Sequence, residues 1–345
     1  MGESRKRVLI QLNHLSEYRI PIFERLGRRH DVDIVVSSPP PAYPISFRVI
    51  QARHTPFWKF ALQRWSGAPV AGYDAVFSIF DLRNLTALWM ILRQPQRVAP
   101  YCLGYGRGLV SSLLRRFVFT RSRVSLVYSQ GTAQQLIKSG VPGRKVHYTG
   151  NTIAVLEEPI PAGPRSTFLH VGTPKPRKRV DELIAAFSSI MHRLPPDATI
   201  TIVGKGSRAA YGVYADASPA AGRIIFHDDV RDERELAELF GRAIAYVGPG
   251  HVGLGALQAI GHGVPVVTRS DVEHGPEFET CIDNHTARLY RREAELAEIL
   301  VELAADPEHA RQLGLNGRAL YDAAYHPDQM VDRMCAAIEA LSAQA

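Results

Sequence analysis

Four basic side chains follow one another closely in the second half of the chain. The segment HVGTPKPRKRV (170–180) contains Lys175, Arg177, Lys178 and Arg179 between a strand-like run and a helical pattern. Lysine and arginine beside the free amides at a helix start are suited to hold the oxygens of a diphosphate. A solvated basic loop is the alternative interpretation. The position of the loop directly after a strand favours phosphate binding.

A second stretch, VGPGHVGLGALQAIGHGVPVV (247–267), is rich in glycine and contains no acid, lysine or arginine. Gly250, Gly253 and Gly255 would let a ligand approach backbone amides closely. The positive end of a helix over 253–262 would then attract an anion without any charged side chain. The alternative is that these glycines only permit tight packing of strand against helix.

Three histidines are candidates for ligand contact. His14 follows the first predicted strand, where it would contact an acceptor or lie near the reacting centre, while His251 and His274 lie in loops of the second half. The chain has no H-E-x-x-H motif and no His, Cys and Asp cluster at ligand spacing, so no metal site is predicted. The loop at 104–108 only faintly resembles a dinucleotide fingerprint.

The pattern of elements predicts where these residues lie. In the first half we predict strands at 7–12, 31–38, 73–80 and 125–130, a strand entering a glycine loop over 97–108, and helices near 22–26, 111–124 and 132–139. Residues 39–72 are rich in proline and aromatic residues and are predicted to be a loop-heavy insertion.

The second half repeats this alternation after a proline-rich break at 157–166. We predict strands at 167–172, 199–203, 223–230, 243–248 and 264–268, helices at 180–194, 233–243 and 253–262, and a helical tail from 293 with breaks at Pro307 and Pro327. Two α/β domains with doubly wound parallel sheets follow, over 1–158 and 165–326. The glycine turns would converge at the carboxyl ends of the second sheet.

Charge is distributed unevenly along the 345 residues. The net charge is +7, but residues 1–160 hold 22 Lys and Arg against 9 Asp and Glu. This balance indicates an anionic partner: a phospholipid, a lipid-linked diphosphate or a nucleic acid. The start of the chain has no secretory signal, no apolar run is long enough to span a bilayer, and three cysteines are scattered. A cytoplasmic protein is predicted.

Taken together, the motifs of the second half resemble those of retaining GT-B glycosyltransferases of the family-four group. The resemblance rests on the segments VGTPKPRKRVDELIAAF, TIVGKGS, FHDDVRDERELAELFGRA, VGPGHVGLGALQAIGHGVPVVT and GPEFE. The first half matches more loosely, at YRIPIF and at the GNT of 150–152. In that family two Rossmann-like domains face each other, and a C-terminal helix, here 327–345, packs back on the first.

The resemblance implies a substrate arrangement. A nucleoside diphosphate sugar is the donor and binds the C-terminal domain, the acceptor binds the N-terminal domain, and neither a cofactor nor a metal is required. Lys178 would act in catalysis by holding the diphosphate, helped by Arg177, with His14 as the second catalytic candidate. The other positions expected to bind the donor are Gly172, Thr173, Gly204, Lys205, Gly250, His251, Val252, Gly253, Leu254, Gln258 and Glu277.

The sequence departs from the family pattern at its most characteristic point. The family has two glutamates eight positions apart, and here Gly250 and Gln258 stand in their places. Thr173 replaces the usual arginine after the first glycine. One subgroup has P-G-N-V-G-L at this turn, with His251 standing here for its asparagine. Gln258 can still bond a ribose hydroxyl, and the leaving diphosphate can be stabilised by cations and amides.

We therefore expect a glycosyltransferase that moves a sugar to a lipid-linked or polysaccharide acceptor in cell-envelope glycan synthesis. Arg115, Arg116, Arg121 and Arg123 on one helix would rest on anionic lipid at the inner face of the membrane. A catalytically silent GT-B protein that binds a nucleotide sugar or a partner is the alternative. Nucleic-acid binding lacks a recognition pattern, and a nicotinamide oxidoreductase lacks a glycine fingerprint.

Overall fold

The computed structural model describes residues 4–41, 44–102, 109–157 and 163–343. The chain divides into two compact units. The first unit runs to Asn151 and includes the C-terminal segment from Pro327, and the second unit runs from Thr152 to His326. The sequence placed the boundary at 158–165, because the run of prolines there is the strongest local break in the pattern.

The first unit is built on a parallel sheet. Its described strands are β1 (Arg7–Gln11), β2 (Asp31–Val36), β3 (Arg48–Gln51), β4 (Arg53–Phe57), β5 (Phe60–Arg64), β6 (Ala75–Ile79), β7 (Val98–Cys102), β8 (Ser125–Val127) and β9 (Val146–Tyr148). The sheet order is β3-β2-β1-β6-β7-β8-β9, and β4 and β5 form a separate antiparallel hairpin. The chain reverses direction across the sheet between β1 and β6, which makes this pair the topological switch point.

Helices cover both faces of this sheet. They are α1 (Ile20–Arg29), α2 (Leu85–Arg93), α3 (Leu109–Arg121), α4 (Gln130–Lys138) and α11 (Pro327–Ser342). On one face Phe23 of α1 shares a core with Met334 and Ile338 of α11. On the other face Met90 of α2 and Leu136 of α4 share a second core. Because both faces are covered, β6 and β7 are buried along their whole length.

The second unit repeats the architecture. Its described strands are β10 (Thr167–Val171), β11 (Thr199–Val203), β12 (Ile224–His227), β13 (Ala243–Gly248), β14 (Val266–Arg269) and β15 (Ala287–Tyr290). They form a parallel sheet in the order β12-β11-β10-β13-β14-β15. The switch point lies between β10 and β13. The predicted pair of doubly wound parallel sheets is confirmed.

Most helices of the second unit follow the predicted periodicity. They are α5 (Val180–Ile190), α6 (Ser207–Asp216), α7 (Glu233–Gly241), α8 (Leu254–Gly261), α9 (Glu293–Ala305) and α10 (Pro307–Leu320). In α5 the apolar residues at helical spacing are the buried ones. A π-helical turn at Tyr321–Tyr325 ends α10 before Pro327. The predicted breaks at Pro307 and Pro327 are confirmed.

The prediction of a loop-heavy insertion at 39–72 is wrong. This segment contains β3, β4 and β5. The strand β4 (RHTPF) could not be predicted from the sequence because it is exposed at every position and has no alternation of apolar and polar residues. No element was predicted at α2, α6 or β15. The glycine loop predicted at 104–108 lies outside the described residues.

Candidate functional site

The loop between β10 and α5 carries the basic residues predicted to hold phosphate. Pro176–Lys178 form one 3-10 turn, and Arg179 takes a left-handed φ of 51° before α5 begins. The Arg179 guanidinium lies 2.8 Å from the carboxylate of Glu182, so its charge is already paired. Arg177 is exposed, and it remains available to a ligand together with Lys178.

Lys178 is the half-buried cation of this loop. Its Nζ donates a hydrogen bond to the carbonyl oxygen of His251 at 2.8 Å. Burial lowers the pKa of Lys178, the neighbouring Arg177 lowers it further, and Glu277 opposes the shift. A bound anion would compensate the charge that burial makes costly. Lys178 therefore joins the basic loop to the glycine turn after β13.

Backbone bonds hold the same two segments together. The amide of Gly250 donates to the carbonyl of Lys178 at 3.1 Å, and the amide of His251 donates to the carbonyl of Arg177 at 2.8 Å. A Cβ on Gly250 would lie 2.0 Å from the carbonyl oxygen of Arg177. Gly250 thus has the packing role that the sequence left open, since its amide is engaged within the protein.

The amides left for a ligand are one turn further along. Among the described residues, the amides of Gly253, Leu254 and Gly255 at the start of α8 have no protein acceptor. A Cβ on Gly253 would meet nothing nearer than the Glu277 carboxylate at 3.9 Å, whereas a Cβ on Gly255 would lie 2.5 Å from the Tyr246 hydroxyl. Gly255 therefore packs α8 against β13, and Gly253 faces open space. The positive end of α8 adds attraction for an anion.

Two histidines fix the shape of this turn. The amide of Val252 donates to Nδ1 of His274 at 3.1 Å, and Nε2 of His274 lies 2.7 Å from the carbonyl of Arg269. Since a carbonyl only accepts, Nε2 carries the proton and Nδ1 is the acceptor. His251 Nδ1 lies 2.9 Å from the carbonyl of Glu273. Burial lowers the pKa of both His251 and His274, which favours these neutral forms.

Glu277 places one carboxylate beside the free amides. It is buried at the start of a 3-10 turn, Pro276–Thr280. A Cβ on Gly275 would lie 2.3 Å from the Glu277 carboxylate, so glycine at 275 leaves the space that this carboxylate occupies. An acid here would repel phosphate but accept hydrogen bonds from hydroxyl groups.

The carboxyl ends of β10 and β11 are locked together by glycine. A Cβ on Gly204 would lie 2.2 Å from the carbonyl oxygen of Gly172, and φ at Gly204 is +155°. The amide of Gly172 donates to the carbonyl of Val203 at 2.9 Å. Lys205 follows and is exposed. Gly204 therefore permits the close approach of the two loops, whereas a Cβ on Gly172 would clash with nothing.

His170 is a residue of this site that the sequence analysis missed. It is buried in β10, its Nδ1 lies 2.8 Å from the carbonyl of Val247, and its ring stacks on Tyr246. Burial lowers the pKa of His170 to about 4. A Cβ on Gly172 would lie 3.6 Å from His170 Nε2, so the ring forms the floor under the phosphate loop. The sequence did contain a signal for this residue, because a single histidine within an otherwise apolar strand (TFLHV) is unusual.

The predicted donor residues of the second unit lie in neighbouring loops and at the start of α8. Thr173 directly follows Gly172, Lys205 directly follows Gly204, and Gln258 lies within α8. Within the described ranges, no hydrogen bond links the side chains of Thr173, Lys205 or Gln258 to this cluster. His14 lies in the other unit, exposed in the loop after β1. In the described part of the chain no group of three or more His, Cys, Asp and Glu could hold a metal ion.

A family model matches part of the second unit. Residues 165–306 match the family described as glycosyl transferases group 1. Comparison with curated proteins finds no match to the sequence.

Solved glycosyltransferases share the architecture of the chain. Sucrose-phosphate synthase from Thermosynechococcus elongatus is 17% identical with a TM-score of 0.72, covering 99% of this chain and 100% of its own. HepE from Anabaena in complex with UDP is 14% identical with a TM-score of 0.71, covering 97% and 100%. WaaG, a glycosyltransferase involved in lipopolysaccharide biosynthesis, is 16% identical with a TM-score of 0.61, covering 96% and 98%. The fold is GT-B, and the match to the group 1 family model lies within the second unit.

Proposed function

We propose that this chain transfers a sugar from a nucleoside diphosphate sugar to a lipid-linked or glycan acceptor. The observation that carries the proposal is the cluster of Lys178, exposed Arg177 and the unpartnered amides at the start of α8. Cations and amides in fixed positions stabilise a departing diphosphate. The donor binds the second unit, and HepE, which has the same fold, was solved with UDP.

The roles of the residues follow from their positions. Lys178 and Arg177 hold the diphosphate, and the amides of Gly253 and Leu254 bind its oxygens. Glu277 accepts hydrogen bonds from hydroxyl groups of the sugar or ribose. We propose that transfer occurs with retention. We also propose that it needs no metal ion, because Lys178, Arg177 and the backbone amides supply the positive charge that a metal would otherwise bring.

The first test is a thermal-shift panel of UDP, GDP, TDP, ADP and CMP on the wild type and on Lys178→Ala. One diphosphate is expected to stabilise the wild type. Lys178→Ala is expected to weaken its binding by roughly 10- to 100-fold, the usual contribution of a hydrogen bond to a charged group. Lys138→Ala, at an exposed lysine of α4 in the first unit, serves as the control. Stabilisation by no nucleotide, or an unchanged shift in Lys178→Ala, would contradict the proposal.

A catalytically silent GT-B protein remains the second candidate. It is favoured by Gly250, which stands in place of a family glutamate and which the structure packs against Arg177. Such a protein would bind the nucleotide sugar without turning it over. Incubation with a radiolabelled nucleotide sugar and cell-envelope extract separates the two, because only the enzyme releases free nucleotide and labels an acceptor.

We propose that the first unit binds the acceptor, a glycan or a lipid-linked sugar. The exposed His14, at the carboxyl end of β1, would contact it. WaaG shares the fold and acts in lipopolysaccharide biosynthesis, which agrees with a role in cell-envelope glycan synthesis. We propose that the protein works in the cytoplasm at the inner face of the membrane, with no nucleic-acid partner. No helix of the described residues is long and apolar enough to cross a membrane.

Membrane contact would use α3 in part. Arg115 points inward, with its guanidinium over the Phe80 ring, and Arg123 lies beyond the helix and donates to the carbonyl of Ala340 at 2.9 Å. The outward face instead exposes Leu113, at 65%, and Phe117, at 52%. Arg121 lies 5.4 Å from the Phe117 ring centre. Apolar side chains flanked by arginine suit the interface of an anionic bilayer.

Sedimentation with vesicles tests this contact. Replacing Leu113 and Phe117 together by aspartate is expected to lower partition onto phosphatidylglycerol vesicles by roughly tenfold or more, because two apolar side chains that would insert into the bilayer are lost. Leu315→Asp, at an exposed leucine of the second unit, is the matched control. Binding that is unchanged in the double variant, or absent in the wild type, would contradict membrane contact.

A further inference from the structure

A polar cavity of about 480 Å³ lies within the first unit. Asn13 follows β1, Ser37 and Ser38 follow β2, and Asp81 and Asn84 follow β6. These residues line it from the carboxyl ends of strands on both sides of the switch point, where doubly wound sheets bind ligands. None of them belongs to the donor site described above.

The opposite wall of the cavity is the β4–β5 hairpin, which a buried amide network fixes to the sheet. Gln63 of β5 donates from Nε2 to the carbonyl of Leu12 at 2.8 Å. Its Oε1 accepts from Asn84 Nδ2 at 3.1 Å and also from Gln11. Gln11, Gln63 and Asn84 are all buried. A satisfied network of this kind is rigid, so the cavity is formed before any ligand arrives.

Basic side chains outnumber acids around the cavity. His54 and Lys59 from the hairpin and Arg83 from the loop after β6 line it. Within the described ranges, none of the three lies within salt-bridge distance of a carboxylate. Asp81 is the acid of the lining, and it accepts hydrogen bonds from Asn13 Nδ2 at 3.3 Å and from the amide of Arg83 at 2.9 Å. The cavity is therefore suited to a ligand with one anionic group.

The tip of the hairpin presents a tryptophan at the rim. Trp58 is 81% exposed, and its φ of 53° is uncommon for a residue with a side chain. Lys59 lies over the indole, 5.0 Å from the ring centre. Trp58 thus places a large aromatic face at the rim of the cavity, where a ligand can contact it. The negative face of an indole attracts the weakly positive C–H groups of a sugar ring.

We propose that this cavity binds an anionic sugar unit of the acceptor. Its pyranose ring lies against Trp58, its hydroxyl groups bond Asn13 and Asp81, and its phosphate or carboxylate is held by Lys59 and Arg83. That this sugar belongs to the acceptor rests on the proposed function, but binding of the sugar in the cavity requires neither a nucleotide nor the second unit. A phosphate would come from a lipid-linked sugar, and a carboxylate from a uronic acid of a glycan.

The test follows the indole N–H signals of the intact protein by NMR. The three tryptophans give three signals, and Trp58→Phe identifies that of Trp58. The probes are the 1-phosphates of glucose, galactose and mannose, glucuronate, galacturonate, the uncharged methyl glycosides and inorganic phosphate. We expect the Trp58 signal to move with at least one anionic sugar. That sugar should bind roughly tenfold or more tightly than its methyl glycoside, as expected for a charged hydrogen bond.

Variants separate the two halves of the proposal. Trp58→Ala lacks the reporter indole, so its binding is measured by titration calorimetry, and it is expected to bind the anionic sugar more weakly than the wild type. Arg83→Ala is expected to reduce the advantage of the anionic sugar over the methyl glycoside, and Lys59→Ala with Arg83→Ala to remove it. Trp89→Ala, at a second exposed tryptophan of the same unit, should leave both affinities unchanged. Preference for 1-phosphates supports a lipid-linked sugar, and preference for uronates supports a glycan.

Three results would overturn the assignment: no movement of the Trp58 signal with any sugar, equal affinity for charged and uncharged sugars, or inorganic phosphate binding as tightly as the sugar phosphates. Nucleotide-induced stabilisation must persist in Trp58→Ala. If the sugar binds but no nucleotide stabilises the wild type, the donor proposal fails while this site stands.

Discussion

Replacing Gly250 by alanine is expected to destabilise the second unit by about 3 kcal/mol or more, at the upper end for overpacked sites. The added Cβ would lie 2.0 Å from the carbonyl oxygen of Arg177. That atom belongs to the backbone, so no rotamer change can relieve the clash. The two loops must separate, which breaks the bonds from Gly250 and His251 to the basic loop.

Gly253→Ala is the matched variant, and it is expected to weaken nucleotide binding without lowering stability. Its Cβ would meet the nearest atom at 3.9 Å, so the free energy of unfolding should change by less than about 1 kcal/mol. The methyl group would stand where a phosphate approaches the free amides of α8. Nucleotide binding should therefore weaken while stability is kept.

Urea unfolding and nucleotide thermal shifts measured on both variants decide the matter. Gly250→Ala should lose stability with or without ligand, and Gly253→Ala should lose only the ligand response. A Gly253→Ala protein with the full nucleotide response would remove the start of α8 from the phosphate site. A stable Gly250→Ala protein would show that the two loops are not held as described.

The sequence predicted the fold through elements with strong periodic patterns. α5 and the strands around it alternate with glycine turns, and this pattern is enough to place Lys178 and the turn at 250–254 at neighbouring strand ends. The short exposed strands β4 and β5 carry no such signal. Their position depends on Gln63 bonding to strand-end residues far away in the chain, and no local pattern encodes that contact.

The division of labour among the glycines was equally beyond the sequence. The sequence does not distinguish the roles of Gly250, Gly253 and Gly255, because all three are glycines in one turn. The structure separates them by what surrounds each one: the Arg177 carbonyl, open space and the Tyr246 hydroxyl. The difference arises from the folded neighbours of each glycine: Arg177 lies 73 positions before Gly250 in the chain, and Tyr246 lies on β13, the strand that leads into the turn. Arg179 likewise reads as a phosphate ligand until its pairing with Glu182 is seen.

Acid is expected to destabilise the second unit through His170. Burial lowers the pKa of His170, the hydrogen bond to Val247 opposes the shift and the nearby Lys178 adds to it, so that the pKa is about 4. The folded pKa lies below the unfolded value of 6.5, so the neutral ring stabilises the fold fully above pH 6.5. That contribution is lost as the pH falls from 6.5 towards 4. At 1.36 kcal/mol per pKa unit, the loss approaches about 3 kcal/mol.

His170→Phe isolates this contribution. The variant keeps a flat ring against Tyr246 but leaves the Val247 carbonyl without its donor, so it should be less stable at pH 7 by about 1–3 kcal/mol. Below pH 6.5 it should lose less stability than the wild type, by up to about 3 kcal/mol at pH 4. His262, whose pKa burial also lowers to about 4, keeps part of the acid response in both proteins. Unfolding in urea at a series of pH values measures the difference. Parallel pH profiles for the two proteins would show that folding does not lower the pKa of His170.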